Sequence, residues 1–255
     1  MAAKKKRPVR RTPRAPSAKV RERAVEIQKR LQAEIPSPHV ELHFESPWHL
    51  LVAVILSAQS TDKMVNSVTP VLFKRWPTPR ALADAPQEQV EEVVKSTGFF
   101  RNKAKAIRGA SRAVVERFGG QVPRTMAEML EIPGVARKTA NVVLGAAHGV
   151  AVGVVVDTHA MRVSQRLGFT RQTEPEKIEQ ALCALFPQDA WIGLGHRLVL
   201  HGRHVCTARA PRCPECPLNE VCLSHFEPPN GSWQERAEAL AREMESRSKG
   251  FTRVR

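Results

Sequence analysis

The chain has 255 residues, enough to bury a sizeable core, and two domains of ordinary size are expected rather than one large one. Forty Lys and Arg against 25 Asp and Glu leave a net charge of +15, which draws polyanions such as nucleic acid or an anionic membrane to the surface. No apolar run approaches the roughly 18 residues that cross a bilayer, and no apolar stretch follows the basic N-terminus, so neither a membrane span nor a secretory signal is expected, and a reducing, cytoplasmic setting is.

Residues 1–19 hold eight Lys or Arg, three Pro and no acid, the composition of a disordered basic tail that either solubilises the chain or tethers it to DNA. The remaining residues still carry +7. Beyond the tail, apolar residues recur at spacings of three and four, which predicts an all-α fold. Ser46 and Pro47 read as the N-cap and first position of a helix over WHLLVAVILSAQ, apolar all round and therefore central. Thr125 with Glu128, and Thr173 with Glu176, have the spacing of a capping box at two further helix starts. Residues 150–156, a Val and Gly run, are ambiguous between strand and coil. Residues 224–255 mix charges freely and are expected to be a partly helical extension with no readable role.

The segment TMAEMLEIPGVARKTANVVLGAAHG, within residues 125–149, is the most informative. A helix from Met126 to Ile132 is stopped by Pro133, a tight turn through Gly134, Val135 and Ala136 follows, and a second helix starts near Lys138 with Ala140, Val143, Leu144 and Ala147 on one face. This is a helix-hairpin-helix. Its turn and open helix N-terminus offer amides to a phosphate of one DNA strand without reading a base, which makes Gly134 and Ala136 candidate DNA contacts. Arg137 and Lys138 stand in the first turn, where the helix dipole disfavours a cation by roughly 0.3–1 kcal/mol, so each needs a compensating gain. For Arg137 that gain is a phosphate. For Lys138 two readings are open: a phosphate contact, or an amine kept neutral by these surroundings and able to attack.

In VVVDTHAMRV, Asp157 is placed as an N-cap, a role compatible with that of a fixed carboxylate facing a developing positive charge on a sugar. Cys206, Cys213, Cys216 and Cys222 follow as C-x6-C-x2-C-x5-C. Four thiolates so close enclose one metal centre; the uneven spacing favours a [4Fe–4S] cluster and leaves zinc open. Arg209 and Arg212, in the loop between the first two cysteines, are offered to a phosphate. Cys183, alone in KIEQALCALF, reads as a small buried hydrophobe.

With LSAQSTD at residues 56–62, GFFRNKA at 98–104, PGVARKTANVVL, VDTH at 156–159, HGR before Cys206 and the complete cysteine spacing, the chain resembles the endonuclease III family of DNA glycosylases from about Arg21 to Cys222. The resemblance implies two all-helical domains with a DNA cleft between them. Residues 40–151 would form a six-helix barrel ending in the hairpin (about 125–148), and residues 20–39 with 152–223 a domain holding a [4Fe–4S] cluster on Cys206, Cys213, Cys216 and Cys222. Lys138 matches the family's nucleophile and Asp157 its assisting carboxylate. Gln59 and Phe99 match the residues that fill the gap left by an everted nucleotide; the other reading of Phe99 is a core aromatic. Also implied are a monomer acting on double-stranded DNA with damaged bases or abasic sites, excision of oxidised pyrimidines coupled to β-elimination, and a place at the nucleoid of the bacterial cytoplasm. In this chemistry no electron transfer is needed, which makes the cluster structural.

Two departures are visible. Ala136 stands where the family commonly has glycine, and the segment from Lys138 to Asp157 is one residue longer, around residues 149–153. An adenine mismatch glycosylase of the same scaffold is the nearest rival, but that family lacks the lysine and uses a carboxylate on the central helix, which LLVAVILSAQ does not contain. A non-catalytic iron–sulfur DNA-binding protein is the other; it leaves Lys138 with Asp157 unexplained.

Overall fold

The computed structural model describes residues 16–249, which form helices α1 (Ala18–Glu34), α2 (Pro47–Leu56), α3 (Asp62–Arg75), α4 (Pro79–Asp84), α5 (Gln87–Val94), α6 (Phe100–Phe118), α7 (Met126–Met129), α8 (Arg137–His148), α9 (Thr158–Arg166), α10 (Pro175–Leu185), α11 (Trp191–His204) and α12 (Trp233–Lys249). No strand occurs among the described residues, and no helix there is long and apolar enough to cross a membrane. The expected basic tail lies almost wholly outside the described residues, but its last two positions, Ala18 and Lys19, belong to α1.

The uncharged run of α2 dictates the first core. Trp48 and every residue from Leu50 to Leu56 are buried, because a helix apolar on all sides loses its driving force anywhere but inside. Ser46 Oγ accepts the His49 N–H at 3.1 Å, Pro47 takes the first position, and the Trp48 indole donates to Ser111 Oγ at 3.0 Å, so the buried N–H is satisfied. The apolar faces of α3 to α8 close around α2. A second core joins Ala24, Ile27 and Leu31 of α1 to the apolar sides of α9, α10 and α11. Residues 150–156 cross from one core to the other as coil. Val150 and Val152 pack on the first, Val154 and Val156 on the second, which accounts for their apolar pattern without a strand.

Three local expectations shift. The helix from Met126 ends at Met129, since residues 131, 132 and 135 bond three residues back in tightened turns ahead of and across Pro133. Thr125 does cap it, accepting the Glu128 N–H at 3.3 Å and donating to its carboxylate at 2.6 Å. Thr173 caps nothing: Pro175, whose fixed φ suits a first helical position, starts α10 with Glu174 as N-cap. Lastly, the extension is docked. Arg236 of α12, 5% exposed, donates to the Cys216 carbonyl at 3.0 Å and to Glu220 at 2.5 Å, while Trp233 lies under Lys29 and Arg30 of α1.

Arg203 of α11 clamps the two halves together through ion pairs to Glu41 and, at 2.7 Å, to Asp62 at the start of α3. The close approach of His204 and, against burial, the charge of Arg203 hold the Glu41 carboxyl at about 2, below its ordinary 4.5. A carboxylate depressed in the folded state stabilises it above the unfolded value, and that contribution fades as pH falls from 4.5 toward 2. With a third of the side chain exposed, screening leaves about 1–2 kcal/mol. The melting temperature of native protein should therefore fall more steeply than that of Glu41→Gln between pH 5 and 3; parallel curves would refute the clamp.

Candidate active site

The hairpin is built as its residues demand. Gly134 has φ +81°, a left-handed conformation that L side chains avoid, and a Cβ there would stand 3.4 Å from Ala106 Cβ. Ala136 is the N-cap of α8 at φ −91°, ψ 168°, an extended conformation any residue adopts, so the departure from glycine carries no backbone strain. No side chain caps α8, which leaves its first amides for a ligand.

Lys138 is exposed and makes no hydrogen bond or ion pair with another described residue. Arg137 behaves otherwise. Its Nε and Nη2 donate to the two carboxylate oxygens of Glu179 at 2.8 and 2.9 Å, a bidentate pair that raises the guanidinium still further above its usual range. Glu179 is thus one gain that offsets a cation at this helix N-terminus; the side chain stays 41% exposed, and its Nη1 has no partner among the described residues. Asp157 is the N-cap of α9: Oδ1 accepts the His159 and Ala160 N–H groups, each at 2.8 Å, and Oδ2 has no partner among the described residues. A cap that spends one oxygen on the backbone keeps the other for a ligand.

Gln59 and Phe99 share one property. They are the only non-glycine residues with positive φ among those described, at 53° and 48°, and both are exposed, Phe99 at 64%. An aromatic held in the left-handed region costs of order 1 kcal/mol and recurs where strain serves function. The core-aromatic reading of Phe99 is ruled out by its exposure. Lys103, buried beneath this loop, donates to the Thr97 carbonyl at 2.6 Å.

Cys206, Cys213, Cys216 and Cys222 line one cavity together with Leu218 and His201. Among the described residues no three His, Cys, Asp or Glu side chains converge as a single metal ion requires. Four cysteine thiols around one cavity are the donor set that a [4Fe–4S] cluster takes, so the residues present fit that group. The surroundings act unevenly on the thiols. His201, fully buried, faces both Glu34 carboxylate oxygens at 2.8 Å through Nδ1 and Cys216 Sγ at 3.8 Å through Nε2. Burial alone would lower this imidazole, but Glu34 holds it well above its usual range. Burial also pushes Cys222 up, whereas in Cys206 it is outweighed by His201 and by Arg166, whose Nη1 donates to Cys206 Sγ at 3.3 Å, so that thiol is lowered. Arg209 is exposed and unpaired among the described residues. Arg212 is not available in the same way: it pairs with Glu215 and, at 2.9 Å, with Glu243 of α12, so a phosphate would have to displace two carboxylates. Cys183 is half-buried against the second core and its thiol is pushed up by burial, in keeping with a packing role.

Glu179, Asn141, Glu34, His201 and Lys103 were not singled out from sequence. For His201 a signal existed, the HGR placed just before Cys206; the carboxylates are separated from their partners by 42 and 167 residues, and no local pattern marks them.

Residues 52–188, which include Lys138 and Asp157, match the HhH-GPD superfamily of base excision DNA repair proteins, and residues 206–222, from the first to the last of the four cysteines, match the iron-sulfur binding domain of endonuclease III. Endonuclease III of Synechocystis sp. is 52% identical over 207 residues, 81% of this chain and 94% of that one. Endonuclease III of Escherichia coli (strain K12) is 40% identical over 198 residues, 78% and 93% of the two chains. The structure of a trapped endonuclease III–DNA covalent intermediate superposes with a TM-score of 0.77 at 39% identity, covering 80% of this chain and 96% of the other.

Proposed function

Given that the chain belongs to the endonuclease III family, and so is an iron–sulfur DNA glycosylase and abasic-site lyase of base excision repair, we propose that Lys138 is its nucleophile, Asp157 its assisting carboxylate and oxidised pyrimidines its substrates. What supports this is the state of each group: the Lys138 amine is exposed and unpartnered among the described residues at an uncapped helix start, and Asp157, fixed as a helix cap, keeps one oxygen free.

The DNA lies in a cleft between the two cores, its phosphates on the amides of Gly134 and Ala136 and on Arg209. C1′ of a stacked nucleotide is shielded, so the nucleotide is turned out at a cost of a few kcal/mol, least for a ring that has lost planarity and stacks poorly. Phe99 enters the stack as a wedge and Gln59 fills the gap; their strained, exposed backbones support that reading. Lys138 Nζ attacks C1′ with its lone pair, the bond from C1′ to the base breaks, and the base leaves with one of the two amine protons. Asp157 faces the positive charge that develops on the sugar. The remaining amine proton passes to O4′ as the C1′–O4′ bond breaks and the ring opens to a Schiff base, which acidifies the C2′ proton; once water takes that proton, the electron pair forms the C2′–C3′ double bond and expels the 3′ phosphate. Cys206, Cys213, Cys216 and Cys222 would hold the [4Fe–4S] cluster, which when bound organises the loop carrying Arg209. A single chain contains every one of these groups, so the enzyme acts as a monomer, at the nucleoid of the bacterial cytoplasm.

Duplexes each carrying one lesion (an oxidised pyrimidine, a mismatched adenine, an alkylated purine or an abasic site) test this in the presence of borohydride. Covalent adducts should form with the oxidised pyrimidine and the abasic site. Adducts with neither would overturn the mechanism, and cleavage of the adenine mismatch alone would overturn the substrate class.

A further inference from the structure

One buried carboxylate touches both segments of the site. Glu179, on α10, is 6% exposed, and its neighbours Ile178 and Leu182 are embedded in the second core. From there it reaches α8. It accepts Arg137 Nε and Nη2 at 2.8 and 2.9 Å and Asn141 Nδ2 at 3.0 Å. Arg137 and Asn141 are four residues apart, one above the other on a single helix face, so the carboxylate grips the first turn of α8 at two points. On another side it lies against Gly153, in the coil that leads to Asp157. A Cβ at Gly153 would stand 1.8 Å from Glu179 Oε1, so only glycine lets that coil approach the carboxylate so closely.

We propose that Glu179 is a positioning residue for the base-excision chemistry, fixing the rotation of α8 about its axis and thereby the place of the Lys138 amine relative to Asp157. This rests on Lys138 being the nucleophile. The lever is long: Nζ of an extended lysine stands roughly 8 Å from the helix axis, so a rotation of ~10° moves it about 1.4 Å. A misplacement of about 1 Å at a reacting centre costs on the order of 10²-fold in rate. Two contacts on one face resist such a rotation, and Gly153 ties the coil before Asp157 to the same group. Arg137 therefore serves through its hold on Glu179, and its charge compensates a carboxylate that would otherwise be buried alone.

Single-turnover trapping with borohydride on an abasic duplex, measured beside DNA affinity and thermal stability, tests the role in the full holoprotein. Glu179→Gln keeps the shape and removes the charge; it should slow adduct formation about 10–100-fold while affinity changes less than about threefold. Arg137→Met should also lose melting temperature, because it strands the carboxylate. The double variant Arg137→Met, Glu179→Met carries no buried charge and should regain that stability, yet remain as slow as either single change. Native adduct rates in Glu179→Gln, or recovery of rate together with stability in the double variant, would overturn the proposal and leave Glu179 a purely structural partner. Lys138→Gln run alongside keeps the two readings apart: an adduct in that variant defeats the nucleophile assignment, whereas none there with native rates in the Glu179 variants defeats only the positioning role.

Discussion

Lys138→Gln should bind abasic duplex with affinity within a few fold of native and form no borohydride-trapped adduct. Glutamine nearly matches lysine in length, keeps the start of α8 intact and lacks the nucleophilic lone pair. One phosphate-range charge among a basic surface contributes modestly to affinity, whereas a covalent route without its nucleophile loses at least about 10³-fold in rate. The side chain makes no bond to another described residue, so no structural contact is lost and stability should hold. A trapped adduct in this variant would sink the assignment. Parallel loss of affinity and rate would instead mean that Lys138 is a phosphate contact.

Cys213→Ser should give colourless, poorly folded protein. Where a metal centre organises a small domain, its binding free energy becomes folding free energy, of order 10 kcal/mol for zinc in small modules. Here the same loop is a crossroads. Asn219 donates to the Cys213 carbonyl at 2.7 Å, Asn230 to the Pro214 carbonyl at 2.9 Å and Arg236 to the Cys216 carbonyl at 3.0 Å, so losing the loop also releases α12. Leu218 and three of the cysteines pack on the second core, which would lose one wall. Visible absorbance, melting temperature and limited proteolysis measure this together. A folded, colourless variant with native melting temperature would show that the second core stands without the cluster.

Local signals proved legible. The Ser46 cap, the Thr125 cap, the Asp157 cap and the hairpin around Gly134 each depend on residues within four positions of one another, so pattern and chemistry suffice to place them. Where a local signal erred, a neighbour overrode it: Pro175 displaced the Thr173 cap, and Pro133 tightened the end of α7. The cysteine spacing identified the metal centre but not the imidazole that helps to lower the Cys206 thiol, because His201 is held by Glu34 from the other end of the chain.

The sequence by itself determined an all-helical chain, the hairpin with its adjacent cations, the aspartate at a helix start and a four-cysteine loop. Those follow from periodicity, capping and ligand count, which are properties of contiguous residues. Only the tertiary structure decided which arginines are free and which are held, since Arg137 and Arg212 find Glu179 and Glu243 across 42 and 31 residues. It also decided that Gln59 and Phe99 take left-handed backbones at the surface, and that residues 150–156 bridge two cores instead of forming a strand. An ion pair or a strained backbone is held by the packing of distant elements, and the linear order of side chains carries no record of that distance.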